Sequence, residues 1–224
     1  MAQPNKPSAR RPSRRPDRRI AKTRTALLEA GRALLATRSI DVISIDEIVA
    51  AADVAKGSFY NHFTDKDVFA REIGATVRRQ VEKAVATANA GVGDPAARFA
   101  RALCVFIRFA IEHRDSAQLL WRLNSGATMA DAPVNRELRE ELLRAVKSPP
   151  FSHLDVETGV LLIMGASVIS IRHVLEERLV TPPARIAANM AAVMLRGLGV
   201  TPRRAQMVAN LAAEDILGKP SPSR

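Results

Sequence analysis

The chain has 224 residues, 47% hydrophobic but only 4% aromatic, and a net charge of +11. That length supports one sizeable core or a small domain joined to a larger one. A makeup rich in Ala and Leu and poor in aromatics suits helices packed on helices and disfavours β-sheets. The single cysteine, Cys104, excludes an intrachain disulfide and offers no cysteine cluster to a metal. A reducing, cytoplasmic setting is the expectation that follows.

The charge is concentrated at the start. Up to Arg24, nine basic residues, among them Arg14, Arg15, Arg18 and Arg19, face one acid, Asp17. Such an arm fits a polyanionic partner. A secretory signal is excluded because no apolar stretch follows the positive residues. The arm shares the Arg-rich, acid-poor makeup of transit peptides, but prolines punctuate it where an amphipathic pattern is required. A solvated, disordered tail is the plain alternative.

Ten helices are expected along the chain. The first spans about Asp17 to Thr37, with Ile20, Leu27, Ala30, Leu34 and Leu35 on one face at three- and four-residue steps. Ser44, with Glu47 three residues on, forms a capping-box pattern that opens a short second helix closed by Ala52 and Asp53. A third runs from about Ala55 to His62. Thr64, with Asp67, opens a fourth that runs to about Ala88. The Gly91-Val92-Gly93 boundary is not a phosphate loop, because no strand precedes it. Cap residues, several followed by Pro, then start helices at Asp94, Asp115, Pro133, Asp155, Thr181 and Thr201. These end near His113, Asn124, Lys147, Leu179, Arg196 and Leu217. The uncharged run Thr158–Ile171 is too short for a bilayer, which needs about 20 apolar residues, so it reads as a helix buried in a core or an interface. The tail 219–224 is expected to be disordered.

The segment from Ser44 to Phe63 carries the functional signal. Ile45, Ile48, Val49 and Ala52 give the second helix an apolar face, and Val54 plugs the turn. Phe59 and Phe63, four residues apart, bury one side of the third helix. The other side presents Lys56, Gly57, Ser58, Tyr60, Asn61 and His62. A face dense in hydrogen-bonding groups, with a glycine that lets backbone approach a phosphate, is what docking in a major groove requires.

The run Lys56-Gly57-Ser58-Phe59-Tyr60-Asn61-His62-Phe63, completed by Lys66 and preceded by the Ser44 cap, resembles the N-terminal domain of the TetR family of bacterial regulators. The resemblance covers roughly residues 20–70. It implies that Ser44 caps the second helix and contacts phosphate. It places Lys56, Gly57 and Ser58 at the groove-facing start of the recognition helix, Tyr60, His62 and Lys66 on phosphates, and Asn61 on a base. Two positions depart from the family pattern: Asp53 stands where Gly is common in the turn, and Ala55 where Ser or Thr often caps the third helix. The basic arm acquires a role with this resemblance. Either Arg14, Arg15, Arg18 and Arg19 enter the adjacent minor groove, or the arm adds nonspecific electrostatic attraction.

The expected architecture is all-α: a basic arm (1–16), a helix-turn-helix domain (17–70), a helical ligand-binding and dimerisation domain (71–218) and a tail (219–224). The resemblance implies a homodimer and a small-molecule effector. Small residues on the eighth helix (Gly159, Gly165, Ala166, Ser167) and the ninth (Ala187, Ala188, Ala191, Ala192) fit close packing across a dimer interface; monomer core is the alternative. Phe99, Phe106, Phe109, Trp121 and Met164 are the expected ligand contacts, with Cys104 as a further pocket position and Arg122, Asn124 and His173 as polar anchors. The expected function is a cytoplasmic repressor that binds double-stranded operator DNA and is released by its effector, with no cofactor, metal or membrane. The alternative is a helical enzyme or interaction protein. No nucleophile–base pair or paired carboxylate in the sequence supports an enzyme.

Overall fold

The computed structural model describes residues 14–124, 135–176 and 180–218, which form ten α-helices and one 3-10 turn with no strand among them. The all-α expectation holds. Helix α1 (Arg14–Thr37) begins three residues ahead of the expected Asp17. Pro16 permits this, because a first-turn N–H has no intrahelical partner to lose. Arg14, Arg15, Arg18 and Arg19 therefore belong to α1 and do not form an arm ahead of it. Residues 1–13 of the expected arm, and the side chains of Arg14, Arg15 and Arg18, fall outside the described residues.

A 3-10 turn (Ile40–Val42) leads into α2 (Ile45–Ala51). The expected capping box is formed: Glu47 N–H donates to Ser44 Oγ at 3.1 Å, and Ser44 N–H donates to Glu47 Oε2 at 2.8 Å. Helix α3 (Lys56–Tyr60) is shorter than expected, with Asn61 as its C-cap. Helix α4 (Lys66–Ala88) is capped by Asp65, not Thr64: Val68 N–H donates to Asp65 Oδ1 at 2.7 Å. A carboxylate is the better acceptor against the positive end of a helix. Phe59, Phe63 and Phe69 form a buried triangle with ring centroids 4.9–5.5 Å apart. Helix α1 crosses α4 at Gly31, where any Cβ would collide with the Phe69 ring.

The larger helical assembly follows. It comprises α5 (Pro95–Glu112), α6 (Arg114–Asn124), α7 (Arg136–Ala145), α8 (Val156–Val174), α9 (Pro183–Gly197) and α10 (Pro202–Leu217). Helix α7 is capped at Asn135; its expected start at Pro133 lies outside the described residues. Helix α8 stops at Val174, five residues before the expected Leu179, with Leu175 as its C-cap. The Leu175 carbonyl accepts from Arg114 Nη2 at 2.5 Å, which ties this end to the start of α6. Residues 177–179 and 219–224 lie outside the described residues.

Among the described residues α8 alone is long and apolar enough to cross a membrane by composition, but it packs against α5, α7 and α9. Gly197 lets α9 close on Leu162 of α8. Helix α10 lies along α9 and α5 of its own chain, burying Ala205, Val208, Ala209, Ala212 and Ile216. Ion pairs Arg101–Asp215 (2.8 Å) and Arg204–Asp94 (2.9 Å) fix its ends.

Candidate DNA-recognition surface and ligand cavity

The turn between α2 and α3 shapes the candidate recognition surface. Asp53 adopts φ +53°, the left-handed conformation that glycine takes most cheaply. Val54 packs against the core, and its N–H donates to Val49 O at 3.0 Å. Ala55 is the N-cap of α3 and makes no side-chain cap bond.

Phe59 is fully buried beneath α3, while Tyr60, one residue on, is 55% exposed and stands edge-on to the Phe59 ring at 5.6 Å. Lys56, Gly57 and Asn61 are exposed, and Ser58 and His62 are half-buried. A Cβ added at Gly57 would meet nothing within 4 Å. One side of α3 is thus spent on the aromatic core, and the other stands free with its hydrogen-bonding groups.

Three basic groups around this surface have internal partners. Lys56 Nζ pairs with Asp46 at 2.9 Å, linking the starts of α3 and α2, and this contact raises the lysine pKa. Arg38 pairs with Glu47 at 2.8 Å, beside the Ser44 cap. The ammonium of Lys66, a residue expected at a phosphate, donates to the carbonyl oxygens of Ile40 (3.0 Å), Asp41 (3.4 Å) and Ile43 (2.8 Å). The Ile40 carbonyl also accepts from Ile43 N–H at 3.3 Å within the 3-10 turn, and Lys66 adds a donor to it and to the carbonyls of Asp41 and Ile43. Arg19 is exposed on α1.

The second feature is a cavity of about 450 Å³ walled by α4, α5, α6, α7 and α8. Phe99, Phe106 and Met164, three of the expected ligand contacts, line it. Phe109 does not. It lines a smaller cleft with Arg32, Gln80 and His113. The Trp121 and Asn124 side chains lie outside the described residues. Arg122 and His173 are exposed. Cys104 is buried and lines neither space, and burial pushes its thiol up to about 12, so it stays protonated.

Sequence reasoning missed the contribution of α4 to this cavity. Val81, Val85 and Asn89 line it from successive turns, a four-residue spacing visible in the sequence. Arg98 and Glu141 bridge α5 and α7 at its edge, with Nε–Oε1 at 2.6 Å and Nη2–Oε2 at 3.0 Å. The small residues of α8 and α9 are used mostly within the protomer. Gly159, Ser167, Ala187, Ala191 and Ala192 are all buried. Gly165 faces open space, and Leu161, Ile169 and Val193 are 42%, 55% and 61% exposed.

The chain is similar to known bacterial regulators. The family model "Bacterial regulatory proteins, tetR family" matches residues 27–73, and "Tetracyclin repressor-like, C-terminal domain" matches residues 94–211. The HTH-type transcriptional repressor DhaR of Mycobacterium sp. strain GP1 is 40% identical over 50 residues, 22% of this chain and 25% of DhaR. The transcriptional regulator AcuR of Cereibacter sphaeroides is 39% identical over 66 residues, 30% of this chain and 29% of AcuR. These matches therefore span less than a third of either relative. A crystal structure of a gamma-butyrolactone receptor (ArpA-like protein) superimposes with a TM-score of 0.61 at 25% identity, covering 88% of this chain and 99% of that one.

Proposed function

Because the chain belongs to the TetR family of bacterial transcriptional regulators, and is with that family a DNA-binding regulator, we propose that it is a dimeric repressor released from its operator by a small molecule. The observation that carries this reading is the division of α3. Phe59 is fully buried, while Tyr60 is 55% exposed and a Cβ added at Gly57 would meet nothing within 4 Å. On this reading residues 17–70 are the working DNA unit. Lys56, Gly57, Ser58, Tyr60, Asn61 and His62 face the groove, Ser44 sits at a phosphate, and Arg14, Arg15, Arg18 and Arg19 extend the footprint from the first turns of α1.

Helix α4 is the coupling element. Its first half, with Phe69 and Ile73, packs beneath the recognition surface, and its second half, with Val81 and Val85, walls the cavity. A ligand that favours one position of α4 favours one position of the recognition helix. In a dimer, the two recognition helices must lie one DNA turn apart, about 34–36 Å, so a modest shift breaks the match. Leu161, Gly165 and Ile169, four residues apart on α8, and Val193 on α9 form the apolar face that a second copy would cover. The gamma-butyrolactone receptor among the similar structures supports a small-molecule effector for this architecture. A cytoplasmic protein, nucleoid-bound while repressing, is the setting this implies.

A mobility-shift assay on DNA flanking the protein's own gene tests the reading. A specific shift is expected, and its absence overturns the operator assignment. Sizing with light scattering at micromolar concentration should give a dimer, and a monomer refutes that part. Removal of residues 1–16 should flatten the salt dependence of binding by about 0.9 in slope for each phosphate the shortened protein no longer neutralises. Unchanged affinity and slope would remove the arm from the interface.

A further inference from the structure

Helix α4 lays a stripe along the cavity that is polar at both ends and apolar between them. Arg78, Val81, Val85 and Asn89 all line the cavity, at three- and four-residue steps that keep them on one face. Asn89, the C-cap of α4, stands eleven residues after Arg78, which is about three turns and about 16 Å of helix axis. Phe106 of α5 and Met164 of α8 line the same space, whose volume of about 450 Å³ lies in the range of small-molecule sites.

The two polar ends are unmet in opposite senses. Among the described residues, two buried side-chain polar atoms lack a hydrogen bond, Arg78 Nε and Asn89 Oδ1, and both residues belong to this wall. Arg78 Nε lies 3.1 Å from Glu82 Oε1, so the two charges are paired, but the contact is not a hydrogen bond. Asn89 is only 6% exposed. Its Nδ2 donates to Arg98 O at 3.2 Å, and the reversed amide would set oxygen against oxygen, so Oδ1 is the free end. Arg98, beside Asn89, is already engaged: Nε and Nη2 fork onto Glu141, and Nη1 donates to the carbonyls of Asn89 and Val92. An unmet donor thus stands at one end of the stripe and an unmet acceptor at the other. Each carries a desolvation cost that a ligand group of the complementary kind can recover.

We propose that this cavity takes an elongated, largely apolar molecule with a hydrogen-bond acceptor at one end, seated on Arg78 Nε, and a hydroxyl or other donor at the far end, seated on Asn89 Oδ1. Two hydrogen bonds of about 3 Å, taken from about 16 Å, leave about 10 Å between the polar ends of the ligand. An extended ten-carbon chain, with bonds of about 1.5 Å, spans about that distance. The inference rests on the reading of this cavity as the effector site and specifies the chemistry of that effector.

Three acids of one chain length test it. In 10-hydroxydecanoate the carboxylate and the hydroxyl are at opposite ends, in its isomer 2-hydroxydecanoate they share one end, and decanoate has no hydroxyl. Their affinities for the full-length protein are measured by titration calorimetry. The 10-hydroxy acid should bind about tenfold tighter than either of the others, the discrimination one buried hydrogen bond supplies. Asn89→Leu should abolish the difference between the isomers. Arg78→Gln should weaken all three acids about tenfold and keep their order. Because Asn89 also caps α4, the isomer comparison on the wild type stands without any variant. Equal affinities for the two isomers, binding of none, a preference kept in folded Asn89→Leu, or unchanged affinities in Arg78→Gln would each overturn the proposal. Release of operator DNA is followed separately by mobility shift. Selective binding of the 10-hydroxy acid without release upholds the ligand chemistry and strikes the effector role. Loss of the preference, with operator binding by the ligand-free protein intact, overturns this inference alone.

Discussion

Lys66 Nζ donates to the carbonyl oxygen of Ile43 at 2.8 Å, one of three backbone carbonyls this ammonium holds. The contact joins the first residue of α4 to the residue just before the Ser44 cap. It fixes the entry of the recognition motif from within the protein. Lys66→Met should therefore lower unfolding stability by about 1–3 kcal/mol, the cost of leaving partly buried acceptors unmet. The salt slope of operator binding should stay at the wild-type value. A slope flattened by about 0.9 with an unchanged melting temperature would assign Lys66 to a phosphate instead.

Asp53 holds φ +53° in the turn between α2 and α3. A left-handed conformation costs an L-residue about 1–2 kcal/mol, less for Asp than for most, and glycine avoids it at the expense of a freer unfolded chain. The strain relief is the larger of the two effects here. Asp53→Gly should gain about 0.5 kcal/mol in chemical denaturation, and Asp53→Val should lose more than about 1 kcal/mol. If the glycine variant is the less stable, the aspartate contributes something its backbone does not reveal.

Much of this fold was legible because its signals are local. Ser44, Asp94 and Asp155 each accept from a backbone N–H in the first turn of the helix that follows, as a cap residue before an apolar period implies. The division of α3 followed from Phe59 and Phe63 standing four residues apart. The carbonyl contacts of Lys66 were not legible, since these partners lie 23–26 residues away and meet the ammonium only through the tertiary fold. Ala187 and Ala191 mark close packing, but small residues carry no information on whether the partner helix belongs to the same chain. Phe109 lies three residues past Phe106, near enough in helical phase that spacing alone does not separate the two cavities they line.

The Ser44–Glu47 box should be sensitive to acid. The Ser44 N–H, then Arg38 and the Ser44 hydroxyl, hold the Glu47 carboxyl down at about 2, against an ordinary 4.5. A depressed carboxyl contributes fully above its unfolded value. That contribution is lost as the pH falls through the window from 4.5 to about 2. Glu47→Gln keeps a capping side chain but carries no charge. The melting temperatures of wild type and variant should differ at about pH 7 and converge as the pH falls through this window. A constant difference across it would show that the charge on Glu47 does not contribute.

Gly31 and Gly57 both sit in helices, and alanine at either position should act in opposite directions. Helix propensity alone favours Gly→Ala by about 1 kcal/mol. At Gly31 the added methyl would strike the Phe69 ring and come within 2.7 Å of Ile73 Cδ1, and both side chains are buried with no room to retreat. Overpacking costs about 1–3 kcal/mol, so the collision wins and Gly31→Ala should melt below the wild type. At Gly57 nothing lies within 4 Å, so Gly57→Ala should melt at or above it. Operator affinity separates the two further. Gly57→Ala should bind more weakly in mobility-shift titration despite its stability, because its methyl occupies the space through which the α3 backbone approaches a phosphate. Wild-type affinity in that variant would mean that α3 meets DNA through other residues.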